Sequence, residues 1–167
     1  MKTLLSLMLL SLVSATTFAQ STGEPSLNAL DFLVGVWAGQ TRPEDPPRTS
    51  EFHWARGGFL VGRFWTGQAG ASPWRVTHVA LLMHRDPVSG HLNAELFGDS
   101  HEIIHLHVES VQNHVMQLVT DPASNLQTYR LTYALSNHEE LSVKLEAAQP
   151  GGEFLTVSDE HLHRQMF

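Results

Sequence analysis

From residue 34 onward, short apolar or alternating runs are cut every few positions by turn-forming residues, and no stretch sustains a 3.6-residue period. This rhythm confines the chain to antiparallel sheet, because period-two alternation between turn signals has no helical solution. Residues 50–56, 59–66, 74–84, 91–97, 101–110, 114–120, 126–135, 140–147 and 154–164 read as strands, with one more around Trp37. The separators include Gly57-Gly58, Gly98-Asp99-Ser100, Asp121-Pro122, Asn137-His138 and Pro150-Gly151-Gly152. Short connections make sequential strands antiparallel neighbours, and an up-and-down barrel leaves no exposed edge. The expected fold is therefore all-β: a single antiparallel up-and-down β-barrel of about ten strands, with a β-sandwich as the alternative. Ahead of the strands, Ser26 is placed to cap a short helical turn over 27–33, where Leu27, Leu30 and Leu33 have near-helical spacing. Residues 41–49 hold three prolines and four charges and are predicted to be a loop.

The first nineteen residues have a different character. Lys2 precedes the short apolar run 4–13, and Thr17-Phe18-Ala19 puts small residues at −3 and −1. That layout predicts a secretory signal peptide over 1–19, cleaved before Gln20, and hence an exported protein, periplasmic or secreted. Residues 20–26 follow as a flexible leader, and 27–167 as one barrel domain. The apolar run is shorter than the ~20 residues a membrane helix needs, and no later stretch approaches that length, so no membrane insertion is expected. With no cysteine, the fold must hold without disulfides, and a lipid-anchored form is not expected. Loss of Lys2 from ten Lys and Arg leaves nine against seventeen Asp and Glu, a net charge of −8. Nucleic acid and anionic lipid are not expected as partners of so acidic a chain.

Leu30-Asp31-Phe32-Leu33-Val34-Gly35-Val36-Trp37 resembles the opening of lipocalin-like (calycin) barrels, where a helical turn leads into a Gly-x-Trp strand. It is most similar to bacterial exported lipocalin-like families of unknown function, which continue with Glu-x-x-Trp and Gly-Gly. Here Glu51, Trp54, Gly57 and Gly58 occupy those positions. The likeness spans mainly 27–66. It implies a barrel in which Gly35 passes close to the floor and Trp37 closes that end. Nitrobindin-like haem barrels share the Gly-x-Trp opening and place a haem-ligating His-Leu near the C-terminus, as His161-Leu162 stands here. Their glycine-rich continuation after the Trp is replaced by Thr41-Arg42-Pro43-Glu44.

A barrel of this size encloses packed side chains or one small ligand. A small apolar molecule in the lumen is the leading expectation, with Trp37, Phe52, Trp54, Trp74 and Tyr129 as candidate ligand-binding residues. Phe64 and Trp65 are adjacent on a strand, so alternation allows at most one of them to face the lumen. A filled core serving as a structural or interaction module is an alternative. A second alternative comes from eleven histidines. His105 and His107 share a strand face, and a three-residue turn at Gly98-Asp99-Ser100 sets His91 opposite His107. His91, His105 and His107 then form a candidate zinc or copper site, unless they are the wet face opposite Ile104, Leu106 and Val108. The sequence assigns no cofactor. Gly98-Asp99-Ser100 resembles the nucleophile block of Gly-Asp-Ser hydrolases, but Asp159-Glu160-His161 has the wrong spacing for its partner and the helices are missing. Glu95 and Glu102 read as wet-face carboxylates, and no motif names a reaction.

Overall fold

The computed structural model describes residues 25–40, 46–66, 79–98, 103–120 and 127–166. A 3-10 helix, Leu27–Leu33, precedes ten strands. These are β1 (Gly35–Gly39), β2 (Arg48–Ala55), β3 (Phe59–Thr66), β4 (Val79–Arg85), β5 (Leu92–Phe97), β6 (Ile103–Gln112), β7 (Val115–Thr120), β8 (Thr128–Asn137), β9 (Glu140–Ala148) and β10 (Leu155–Arg164). Each strand pairs antiparallel with the next, and β1 closes the ring on β10 through Trp37 opposite Arg164 and Ala38 opposite His163. Closure satisfies both edges, which excludes the two-sheet alternative.

The ends of the barrel differ because the connections differ. At one end strands are joined by tight turns suited to right-handed strand twist. Gly57 and Gly58 have φ of 93° and 80°, and Asn113 and His114 have φ of 50° and 61°. Two successive left-handed residues are what a two-residue hairpin requires, so His114 belongs to the turn and not to the strand expected from 114. Asp86 shapes the next connection, its Oδ1 accepting from the backbone N–H groups of Val88 and Ser89 at 2.7 Å each. Those bonds hold the Asp86 carboxyl below the usual carboxylate range.

The 3-10 helix covers this tight-turn end. Ser26 caps it, accepting from the Asn28 N–H at 3.2 Å. Leu30 and Leu33 are fully buried in the core, with Trp37, Phe52, Leu60, Met83, Met116 and Leu141 above them. Phe32 packs against His114 with ring centroids 5.8 Å apart, and Trp54 donates from Nε1 to Asp31 Oδ1 at 2.8 Å. Arg164 locks the floor. Its guanidinium lies 4.1 Å over the Trp37 ring, while Nη1 and Nε donate to the Val34 and His138 carbonyls at 2.8 and 3.0 Å. Trp37 itself donates from Nε1 to the Leu33 carbonyl at 2.7 Å. Gly35 is needed here, since its φ of 137° is a conformation that L side chains rarely adopt.

Candidate functional site

Toward the opposite end the core stops and the lumen is hollow. A cavity of about 340 Å³ opens there, near the lower limit of the ~300–1,000 Å³ typical of small-molecule sites. Strand register explains its wall. On β2 the residues facing inward are Arg48, Ser50 and Phe52, paired in turn with Thr66, Phe64 and Gly62 of β3. Gly62 leaves room for Phe52, whose ring would be 2.7 Å from an added Cβ. Phe52 packs edge-on against Phe64 and Tyr133, both at 5.6 Å, and so supports from below the two rings that form the cavity base.

Above that base the wall has two characters. Val79, Leu96, Leu131, Val143 and Leu145 make an apolar face running from β4 to β9. Arg48, Ser50, Thr66, Ser158 and Glu160 make a polar strip on β2, β3 and β10. β1 lies between β2 and β10, and its inward residue at that level is Gly39, opposite Arg48. A Cβ on Gly39 would fall 2.3 Å from the His161 carbonyl oxygen and 2.9 Å from Leu162 Cδ2. With no side chain there, Arg48 reaches across β1 and donates from Nη1 to Glu160 Oε1. The Arg48 side chain is 56% exposed at the mouth, whereas that of Glu160 is only 13% exposed. Burial pushes the Glu160 carboxyl above its ordinary range, with the Arg48 charge opposing. Burial, with the Glu160 charge adding, also pushes the Tyr133 phenol well above its usual range.

The expected ligand-binding residues are distributed otherwise. Trp37 and Phe52 are fully buried in the filled half, where Trp37 builds the floor and Phe52 supports the rings of the cavity base, and neither lines the cavity. Trp54 is half-buried and tied to Asp31 beside the 3-10 helix. Tyr129 is 37% exposed on β8, its hydroxyl donating to Gln127 Oε1 at 3.2 Å. Trp74 lies outside the described residues, as do residues 1–24, Ser100 and Glu102. Phe64 and Trp65 both contribute to the wall, because Trp65 stands one residue from the end of β3, where the wall becomes rim.

The histidine register is corrected as well. Phe97 pairs with Ile103 and not with His101, two residues away from the register that would set His91 opposite His107. The shift sets Asn93, not His91, opposite His107, and Glu95 opposite His105. His105 is exposed on the outer face while its neighbour Leu106 is buried. Among the described residues no group of three or more His, Cys, Asp or Glu is arranged to hold a metal ion. His161 also points outward. Its side chain is 61% exposed and its Nδ1 lies 3.0 Å from Glu140 Oε1, so it faces away from the lumen a haem would need.

Arg48 and Glu160 escaped the sequence reading for identifiable reasons. Arg48 follows three prolines and reads as loop. On β10 a bulge between Thr156 and Ser158 reverses the alternation, leaving Leu155 and Val157 71% and 59% exposed and turning Glu160 inward. The available signal was that Glu160 shares parity with Leu162 and Arg164.

Fold and cavity together define the class: a closed ten-stranded antiparallel barrel whose lumen could hold a ligand. Neither the models of known protein families nor the curated proteins give a match to this chain. Among the described residues no helix is long and apolar enough to cross a membrane.

Proposed function

We propose that this chain is an exported lipocalin-like barrel that binds a small, largely apolar molecule in its lumen. The observation that carries the reading is the cavity of about 340 Å³, walled by Val79, Leu96, Leu131, Val143 and Leu145, above a cluster of buried side chains. Interiors pack to crystal-like density, so a hollow of this size with an apolar wall is an exception that a ligand would explain. The Gly35-Val36-Trp37 opening after a helical turn supports the lipocalin-like assignment. The cation, apolar run and small-residue pair of residues 1–19 support export.

Native mass spectrometry of the protein purified from its own host tests this directly. A stoichiometric non-covalent adduct is expected. Titration with the uncharged fluorophore N-phenylnaphthylamine should quench tryptophan emission, because Trp65 stands in the wall. A bare mass together with unchanged emission would overturn the proposal and leave the barrel an interaction module.

A further inference from the structure

We propose that the lumen selects amphiphiles with an uncharged head group that both donates and accepts hydrogen bonds, and that the Arg48–Glu160 pair selects them. The inference rests on the lumen being a ligand site and adds which ligand chemistry it takes. The cavity is apolar on one side and polar on the other, so its occupant should be likewise two-faced. The polar side is unusual in holding one full charge of each sign in contact. A carboxylate offers about four acceptor positions and a guanidinium five donors, so one ion pair leaves both groups able to bond a ligand. Ser50 and Ser158 add hydroxyls to the same strip.

Charge selection follows from this pairing. An anionic head would gain from Arg48 but sit beside the carboxylate of Glu160, and an ammonium would meet the reverse. Attraction and repulsion at similar distances cancel to first order, while the cost of stripping water from the ligand ion remains. A hydroxyl or primary amide is spared that cost. It can donate to Glu160 and accept from Arg48 at once. The cavity's modest volume points to a short or medium apolar body.

Three probes with the same chain separate the possibilities: 1-decanol, decanoate and decylammonium, titrated calorimetrically at neutral pH into the full chain. Decanol should bind about tenfold tighter than either ion, the scale of one charge-assisted hydrogen bond. Glu160→Gln frees Arg48 and should raise decanoate affinity about tenfold, and Arg48→Met should do the same for decylammonium. Each substitution should weaken decanol. The inference is overturned if either ion binds wild type most tightly, or if the two folded variants leave the ranking of the ions unchanged. In both cases the lumen still binds, so the ligand-binding reading survives. Failure of all three probes to bind folded protein would remove that reading and this inference together. The wild-type ranking decides the matter even if one variant does not fold.

Discussion

Glu146 and Glu160 occupy neighbouring strands, yet the barrel treats their charges oppositely. Glu146 lies on the outer face of β9, 7% exposed, with Arg130 Nε and Lys144 Nζ each 2.8 Å from its carboxylate. Phe154 lies under the Arg130 guanidinium at 4.1 Å and holds it in place. Hydrogen bonds from Arg130 and then Lys144 lower the Glu146 pKa. The folded chain therefore binds fewer protons here than the unfolded one, and the stabilisation is present above the ordinary carboxylate range and lost as pH falls through the lowered value. Glu160 is raised, chiefly by burial. Unfolded chain releases that proton first, so this group's contribution to stability falls as pH rises from the ordinary carboxylate range through its folded pKa. Glu146→Gln should cost about 1 kcal/mol at neutral pH, a difference that closes in acid. Glu160→Gln should instead stabilise by less than about 1 kcal/mol at neutral pH and be neutral in acid. Urea midpoints of the two variants at pH values on either side of the carboxylate range give the comparison. Shifts of the same sign at neutral pH would contradict the placement of one of these side chains.

Among the elements, β1 is the shortest strand and makes the closure. Its inward residues are Gly35, Trp37 and Gly39, and the absence of side chains at both ends lets Arg164 lie on Trp37 below and Arg48 reach Glu160 above. Gly39→Ala should force β1 away from β10, because the added atom meets backbone at His161 and cannot be relieved by rotating a side chain. The expected loss is about 1–3 kcal/mol, typical of overpacking. Amide hydrogen exchange should quicken on β1 and β10 and stay unchanged on β4–β6. A variant as stable as wild type would show that the seam has slack. The alternation of Phe52 and Trp54, the glycines at 57 and 58 and the Gly-x-Trp opening are local signals, and the barrel order was legible from them. The site was not, because it depends on register. The Phe97–Ile103 pairing and a bulge at Val157 each shift partners by more than any propensity reveals, and they decide which residues stand opposite the histidines and which glutamate faces the lumen.

Across the whole molecule these features sum to a polarised barrel, filled at the tight-turn end and hollow at the other. Leu141 and Leu131 lie on adjacent strands and both point inward, yet Leu141 is fully buried and Leu131 borders the cavity. Truncating Leu141 opens a void among atoms that cannot collapse into it, so Leu141→Ala should cost about 3–4 kcal/mol. Truncating Leu131 enlarges space that already exists, so Leu131→Ala should cost about half that or less. The order reverses for enlargement. Val143→Leu adds a methylene toward open volume and should be tolerated, whereas Ala94→Val, at a buried position between Met83 and Leu106, should destabilise by about 1–3 kcal/mol. Denaturant unfolding of the four variants measures the contrast. Equal costs for the two leucine truncations would mean that the upper lumen is packed as tightly as the floor. Added apolar ligand should raise the midpoint of Leu141→Ala, whose binding wall is intact, more than that of Leu131→Ala, whose wall has lost contact area. That difference links stability to occupancy in a way that a uniformly filled barrel cannot reproduce.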